Sequence, residues 1–92
     1  MIAVLVAGAA GKMGSEAVRA ITAEDDLRVV AAVDPAVAGT PVPGLDGVSY
    51  TADLASAIEA TAPDVMVDFT HPTSVAANVR VALGKGIHCV VG

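Results

Sequence analysis

An unbroken apolar run, Ile2-Ala3-Val4-Leu5-Val6-Ala7, ends directly in Gly8-Ala9-Ala10-Gly11-Lys12-Met13-Gly14, and this junction constrains the fold more than any other stretch. A strand that empties into a glycine-rich turn, with a helix opening from the turn, is the first half of a βαβ unit. Twenty positions beyond Gly14, a second apolar run over residues 27–33 closes on Asp34. An acid at that distance falls at the end of the second strand, across a crevice from the turn. Strand, turn, helix and acid then share one site, and the spacing predicts a dinucleotide ligand before it predicts a reaction.

The three glycines have separate tasks in such a site. Gly8 turns the chain sharply as it leaves the strand, which is cheap only without a Cβ. Gly11 lets the backbone approach a pyrophosphate, and Gly14 lets the helix lie close against the strand. The first-turn N–H groups of the helix lack intrahelical acceptors and sit at the positive end of its dipole, so they suit an anion. Asp34 can accept hydrogen bonds from both hydroxyls of an adenosine ribose. The spacing is G-x-x-G-x-x-G and not the commoner G-x-G-x-x-G, so the flanking strand, helix and acid carry the reading as much as the glycines do.

The rest of the chain continues the alternation. Its patterns predict strands at 1–7, 27–33, 48–50, 65–69 and 87–91. Helices are predicted over 12–23, from Asp53 as N-cap to just before Pro63, and from Pro72 to a stop at Gly84-Lys85-Gly86. The first helix is expected to bury Met13, Ala17, Ala20 and Ile21, and the third Val75, Val79, Ala82 and Leu83. Residues 36–47, with three Gly and two Pro, read as a loop beside the ribose site, either a wall for an adenine or a solvated connection. Helices between successive strands imply a Rossmann-like α/β domain: a parallel sheet of about five strands with helices on both faces. Ligands of such sheets lie outside the carboxyl ends of the strands, where the glycine turn, Asp34, Phe69-Thr70-His71 and Gly92 all fall.

Composition removes other classes of function. Ninety-two residues make one small domain, and the apolar runs are too short to cross a bilayer. No basic leader precedes the first strand, so no signal peptide is expected. A net charge of −5, only five Lys plus Arg, one Tyr, one Phe and no Trp argue against a nucleic-acid partner. Cys89, the single cysteine, is expected in a buried strand of a reduced protein without a disulfide. Asp25, Asp26, Asp46 and Glu59 are too dispersed for a metal site, and no Cys/His cluster exists. His71 beside Pro72 is read as ordering a helix start and His88 as a packed or hydrogen-bonded strand residue; neither is read as catalytic. Asp68 is expected to cap backbone near the cleft.

Three segments carry a family resemblance: the Gly8–Gly14 turn near the N-terminus, Val67-Asp68-Phe69-Thr70-His71-Pro72, and Gly86-Ile87-His88-Cys89-Val90-Val91-Gly92. Together they resemble the N-terminal domain of 4-hydroxy-tetrahydrodipicolinate (dihydrodipicolinate) reductases, over essentially the whole chain. The Asp-Phe-Thr-His-Pro stretch is far more specific than the glycine turn. The resemblance implies a cytoplasmic, homo-oligomeric enzyme of the diaminopimelate route to lysine, which passes a hydride from NADH or NADPH to a cyclic dicarboxylate imine. Carried over by position, it places Gly8, Ala9, Ala10, Gly11, Lys12 and Met13 at the pyrophosphate and Asp34 at the adenosine ribose. Phe69 and Thr70 fall on the nicotinamide side, and Gly92 opens a further cofactor segment. The family's second, substrate-binding domain, with its catalytic residues, has no counterpart on residues 1–92, so the chain reads as an inactive cofactor half of a longer reductase.

The choice of dinucleotide turns on two residues. Asp34 favours NADH by bonding ribose hydroxyls and repelling a 2′-phosphate, whereas Lys12 could offset part of that repulsion. Pro35 stands where a cation would assist NADPH, so NADH is the expected preference. The competing reading is a non-catalytic nucleotide- or CoA-binding sensor module, which would share the glycine turn but have no need of Asp34.

Overall fold

β1 (Ile2–Ala7) occupies the middle of the sheet in the computed structural model, which describes all residues 1–92. It is followed by α1 (Lys12–Thr22), β2 (Leu27–Val33), a 3-10 turn (Pro35–Val37) and β3 (Tyr50–Thr51). Next come α2 (Leu54–Thr61), β4 (Val65–Asp68), α3 (Pro72–Gly84) and β5 (His88–Val91). The five strands are all parallel, in the order β3-β2-β1-β4-β5. This is the doubly wound arrangement predicted from the alternation of apolar runs and helical patterns, and it places the switch in winding direction between β1 and β4.

The central strand is apolar throughout because both of its faces are covered. On one face Leu5 and Ala7 pack with Ala31, Val33 and Met66 beneath Leu54, Ala57 and Ile58 of α2 and Ala82 of α3. On the other, Val4 and Val6 pack with Val29, Ala32, Val18 of α1, Val42 and Tyr50. Leu5 and Val6 are completely inaccessible, each worth about 1.5–3 kcal/mol of burial. A register shift between Val4 and Leu5 leaves Val30 of β2 without a counterpart on β1, and it directs Ala31, Ala32 and Val33 alternately into the two cores. No helix is long and apolar enough to cross a membrane.

The helix faces differ from those read off the apolar periodicity. On α1 the buried residues are Gly14 and Val18; Met13 is 60% exposed and Ala20 also faces solvent. The reason is Gly14, whose missing side chain lets that face, one position further along the chain, sit on the sheet. On α3 Ala82 is buried, with Val79 and Val81 packed beside it, while Leu83 is 60% exposed. The third strand is Tyr50–Thr51, because Ser49 instead bridges Pro41 in an antiparallel step. The loop before it is no solvated connection along its whole length. Val42 is buried, and Val37, Leu45 and Val48 pack partly against the same core, so the loop covers the face where a second helix would lie. β5 is an edge strand: Cys89 is half-buried, and His88, Val90 and Val91 are exposed, so the His88 ring is neither packed nor hydrogen-bonded as expected.

Candidate functional site

The carboxyl ends of β1, β2 and β4 converge on one open crevice of about 300 Å3, lined by Gly8, Gly11, Asp34, Pro35, Phe69, Thr70, His71 and Ser74. A second hollow of similar size adjoins it and shares Pro35, Thr70 and Ser74. The largest hollow, about 660 Å3, lies at the opposite, amino end of the strands, beside Thr22, Asp25, Arg28 and Leu45. It joins no converging polar groups from the sheet's switch point, where ligands of this architecture bind, so size does not mark the site here.

The turn after β1 is anchored from β2. The N–H groups of Gly8 and Ala9 donate to the Val33 carbonyl at 2.8 and 3.3 Å, and that of Ala10 donates to Asp34 Oδ2 at 3.0 Å. Gly11 N–H folds back onto the Gly8 carbonyl at 3.3 Å. Gly8 has φ +72°, and a Cβ there would stand 2.8 Å from the carbonyl carbon and oxygen of Phe69, so only glycine lets the two loops meet. A Cβ on Gly14 would overlap the Gly8 carbonyl oxygen. One on Gly11 would meet nothing closer than 3.5 Å. Packing within the chain therefore demands glycine at positions 8 and 14 and leaves position 11 open.

α1 begins without a side-chain cap. Gly11 is its N-cap and offers no side chain, and Ser15 N–H makes the first helical bond, to the Gly11 carbonyl at 2.8 Å. The N–H groups of Lys12, Met13 and Gly14 have no acceptor in the chain. These are first-turn amides of the helix, the donors expected to suit an anion. The amides of Gly8, Ala9, Ala10 and Gly11 are already occupied, and those of Lys12, Met13 and Gly14 are free. Asp34 is bonded to this turn and lines the crevice beside it. Its Oδ1 accepts from Ala36 N–H at 3.2 Å and opens the 3-10 turn, while Oδ2 holds Ala10.

The third wall is built on Asp68, the one buried charged residue, with no exposed surface. Its Oδ1 accepts from Thr70 N–H at 2.7 Å and from the Thr70 hydroxyl at 2.5 Å, and its Oδ2 accepts from Asn78 Nδ2 at 3.1 Å. Asn78 Nδ2 also donates to Thr70 Oγ1 at 3.2 Å. Asp68 thus caps the Phe69–Thr70 segment as expected, and His71 starts α3, its Nδ1 accepting from Thr73 N–H at 3.4 Å. Gly92 lies under the Phe69 ring, which a Cβ at that position would overlap. Asn78 escaped the sequence reading. The signal was present, since it stands three residues after Val75 and four before Ala82, on the inward stripe of α3, and a carboxylate in an apolar strand needs donors. Behind this wall, burial pushes the Cys89 thiol up from its ordinary pKa, and the negative charge of Asp68 adds to the effect.

Sheet order, a helix start without a side-chain cap and the acid-walled crevice define a Rossmann-like nucleotide-binding domain. The family model for the N-terminus of dihydrodipicolinate reductase matches residues 2–92, and the chain belongs to that family. Among its relatives, the 4-hydroxy-tetrahydrodipicolinate reductase of Syntrophomonas wolfei is 45% identical over 97% of the chain, and that of Acaryochloris marina 48% identical over 97%. The chain spans 35% and 36% of those two proteins' lengths. The structure of dipicolinate-bound dihydrodipicolinate reductase from Paenisporosarcina sp. TG-14 superposes with a TM-score of 0.87 at 31% identity, covering all of this chain and 37% of that one.

Proposed function

We propose that the chain is the NAD(P)H-binding half of a reductase that transfers a hydride to a cyclic, dicarboxylate imine on the route to diaminopimelate and lysine. The observation that carries this is that the glycine turn and Asp34 line one crevice with Phe69 and Thr70, while the amides of the helix start that follows the turn, at Lys12, Met13 and Gly14, have no acceptor in the chain. A diphosphate suits the free amides and a ribose diol suits the acid, and the open approach at Gly11 leaves room for the phosphates. The bound dinucleotide supplies the hydride. This chain's own residues fix its position: the helix start holds the phosphates, Asp34 the adenosine ribose, and Phe69 and Thr70 the nicotinamide end, with Gly92 opening a further cofactor segment beside the Phe69 ring.

Substrate contacts and the proton donor belong on this reading to a second domain, so the 92-residue chain binds the dinucleotide without turning over. NADH is the preferred form. Asp34 would face a 2′-phosphate, and the residues after it, Pro35, Ala36, Val37 and Ala38, offer no cation to offset the repulsion. One such like-charge contact weakens NADPH by about tenfold. Calorimetric titration of the chain with NADH, NADPH and coenzyme A tests the proposal. Saturable NADH binding, weaker NADPH binding and none of coenzyme A are expected; no heat at millimolar NADH overturns it, and preference for coenzyme A favours a sensor module.

A further inference from the structure

The crevice has two walls anchored from different parts of the fold. The glycine turn is held from β2, through the Val33 carbonyl and the Asp34 carboxylate. The Phe69–Thr70 segment is held at Phe69 by the Ala7 carbonyl, which accepts its N–H at 2.9 Å, and at Thr70 by Asp68 at the end of β4 and Asn78 of α3. We propose that Asn78 is a positioning residue for the nicotinamide end of the dinucleotide: it acts through Thr70 and Asp68, and it sets the second wall without setting the first. This inference rests on the functional reading above and deepens it.

The hydrogen bonds form a closed triangle. Asn78 Nδ2 donates to both Asp68 Oδ2 and Thr70 Oγ1, and the Thr70 hydroxyl in turn donates to Asp68 Oδ1. The Thr70 hydroxyl is therefore used as donor and as acceptor, which leaves it a single rotamer and fixes the Thr70 main chain through its own N–H bond to Asp68. Asp68 has no cationic partner, so the fully buried carboxylate depends on these neutral donors for all of its solvation by the protein. Removing the Asn78 amide leaves Oδ2 without a donor. Relief comes from movement of Thr70, since β4 is held in the sheet between β1 and β5 and the Phe69 N–H is held by the Ala7 carbonyl. The glycine turn keeps its own four bonds whatever Asn78 does.

The selectivity of the effect distinguishes positioning from a general loss of structure. NADH and ADP-ribose share the adenosine, the diphosphate and a ribose; ADP-ribose lacks the nicotinamide. In Asn78→Leu, of similar volume but without a donor, NADH binding is expected to weaken roughly tenfold, the scale of one well-placed hydrogen bond, while ADP-ribose binding stays within about twofold. The amide proton resonance of Thr70 should move in the ligand-free variant, and those of Lys12 and Met13 should not. If circular dichroism shows Asn78→Leu to be unfolded, Asn78→Ser carries the same comparison. Thr70→Val should reproduce the selective loss and Thr70→Ser, which keeps the hydroxyl, should restore NADH binding. Equal weakening of both ligands, or of neither, overturns the role of Asn78. A wild-type chain that binds neither ligand removes the cleft reading itself and this inference with it, an outcome distinct from the first two.

Discussion

The separate tasks of the glycines make a quantitative contrast between Gly14→Ala and Gly11→Ala. A methyl group on Gly14 overlaps the Gly8 carbonyl oxygen and comes within 2.8 Å of the Gly8 carbonyl carbon and 3.0 Å of Ala9 Cα. All three are backbone atoms of a turn that four hydrogen bonds hold in place, so none can swing aside as a side chain would. Overpacking costs about 1–3 kcal/mol, and overlap with fixed backbone belongs at or above the upper end. Alanine returns about 1 kcal/mol through its better helix propensity. The net loss is about 2 kcal/mol, which for a domain of this size lowers the melting temperature by about 8–16 °C.

Gly11→Ala is the control on the same turn. Its Cβ would meet only the Gly8 carbonyl oxygen, at an ordinary 3.5 Å, and its φ of −67° is open to any residue. The weaker N-cap and the stiffer unfolded chain oppose each other, and stability should change by less than about 0.5 kcal/mol. NADH affinity, by contrast, should fall at least about tenfold, because the methyl group stands where a diphosphate approaches the helix start. Thermal unfolding by circular dichroism and calorimetric titration read both quantities. A Gly14→Ala chain as stable as the parent, or a Gly11→Ala chain destabilised to the same degree, refutes the assignment of packing to one glycine and ligand approach to the other.

Other substitutions probe the frame around the site. Asp53→Ala removes the cap of α2, where Oδ1 accepts from Ala55 N–H at 3.2 Å and Oδ2 from the Ser56 hydroxyl at 2.6 Å, and should cost about 1 kcal/mol in a denaturant titration. Lys85→Ala breaks the 2.9 Å ion pair with the largely exposed Glu59 and should change stability by under about 1 kcal/mol in the same assay. Cys89 has a raised thiol pKa in the folded chain, so it stabilises the fold fully below the ordinary thiol pKa, and that contribution is lost as pH rises above it. Cys89→Ser should flatten this alkaline decline, measured as midpoint against pH; an unchanged slope contradicts the shift.

The succession of strands and helices and the convergence at the carboxyl ends of the strands were legible because they rest on signals that survive in one dimension. Both-faces-buried strands read as continuous apolar runs, and Pro35, Asp53 and Pro72 mark boundaries by their backbone chemistry. Which face of a helix meets the sheet was less legible. Periodicity weighs large side chains, and Met13 and Leu83 drew the predicted stripes toward themselves, whereas Gly14 sets the contact of α1 by having no side chain. The loop over 36–47 carries no period, yet Val42 is buried, because cover for a sheet face can come from single residues at irregular spacing. Within the site, the first-turn amides expected to lack intrahelical acceptors are unpaired at Lys12, Met13 and Gly14, whereas the amides from Gly8 to Gly11 are taken up within the chain. Which N–H groups stay unpaired depends on where the Val33 carbonyl and the Asp34 carboxylate lie in space.

Amide-resolved titration of the nitrogen-15-labelled chain with NADH addresses the binding cleft directly. Shifts should concentrate at Lys12, Met13 and Gly14, with Ala10 and Ala36 responding as Asp34 redistributes its bonds, and Thr70 moving on the far wall. Perturbations gathered instead around Thr22, Arg28 and Leu45, at the larger hollow on the amino side of the sheet, would contradict the placement of the nucleotide at the carboxyl ends of the strands, as would an unperturbed spectrum at millimolar NADH.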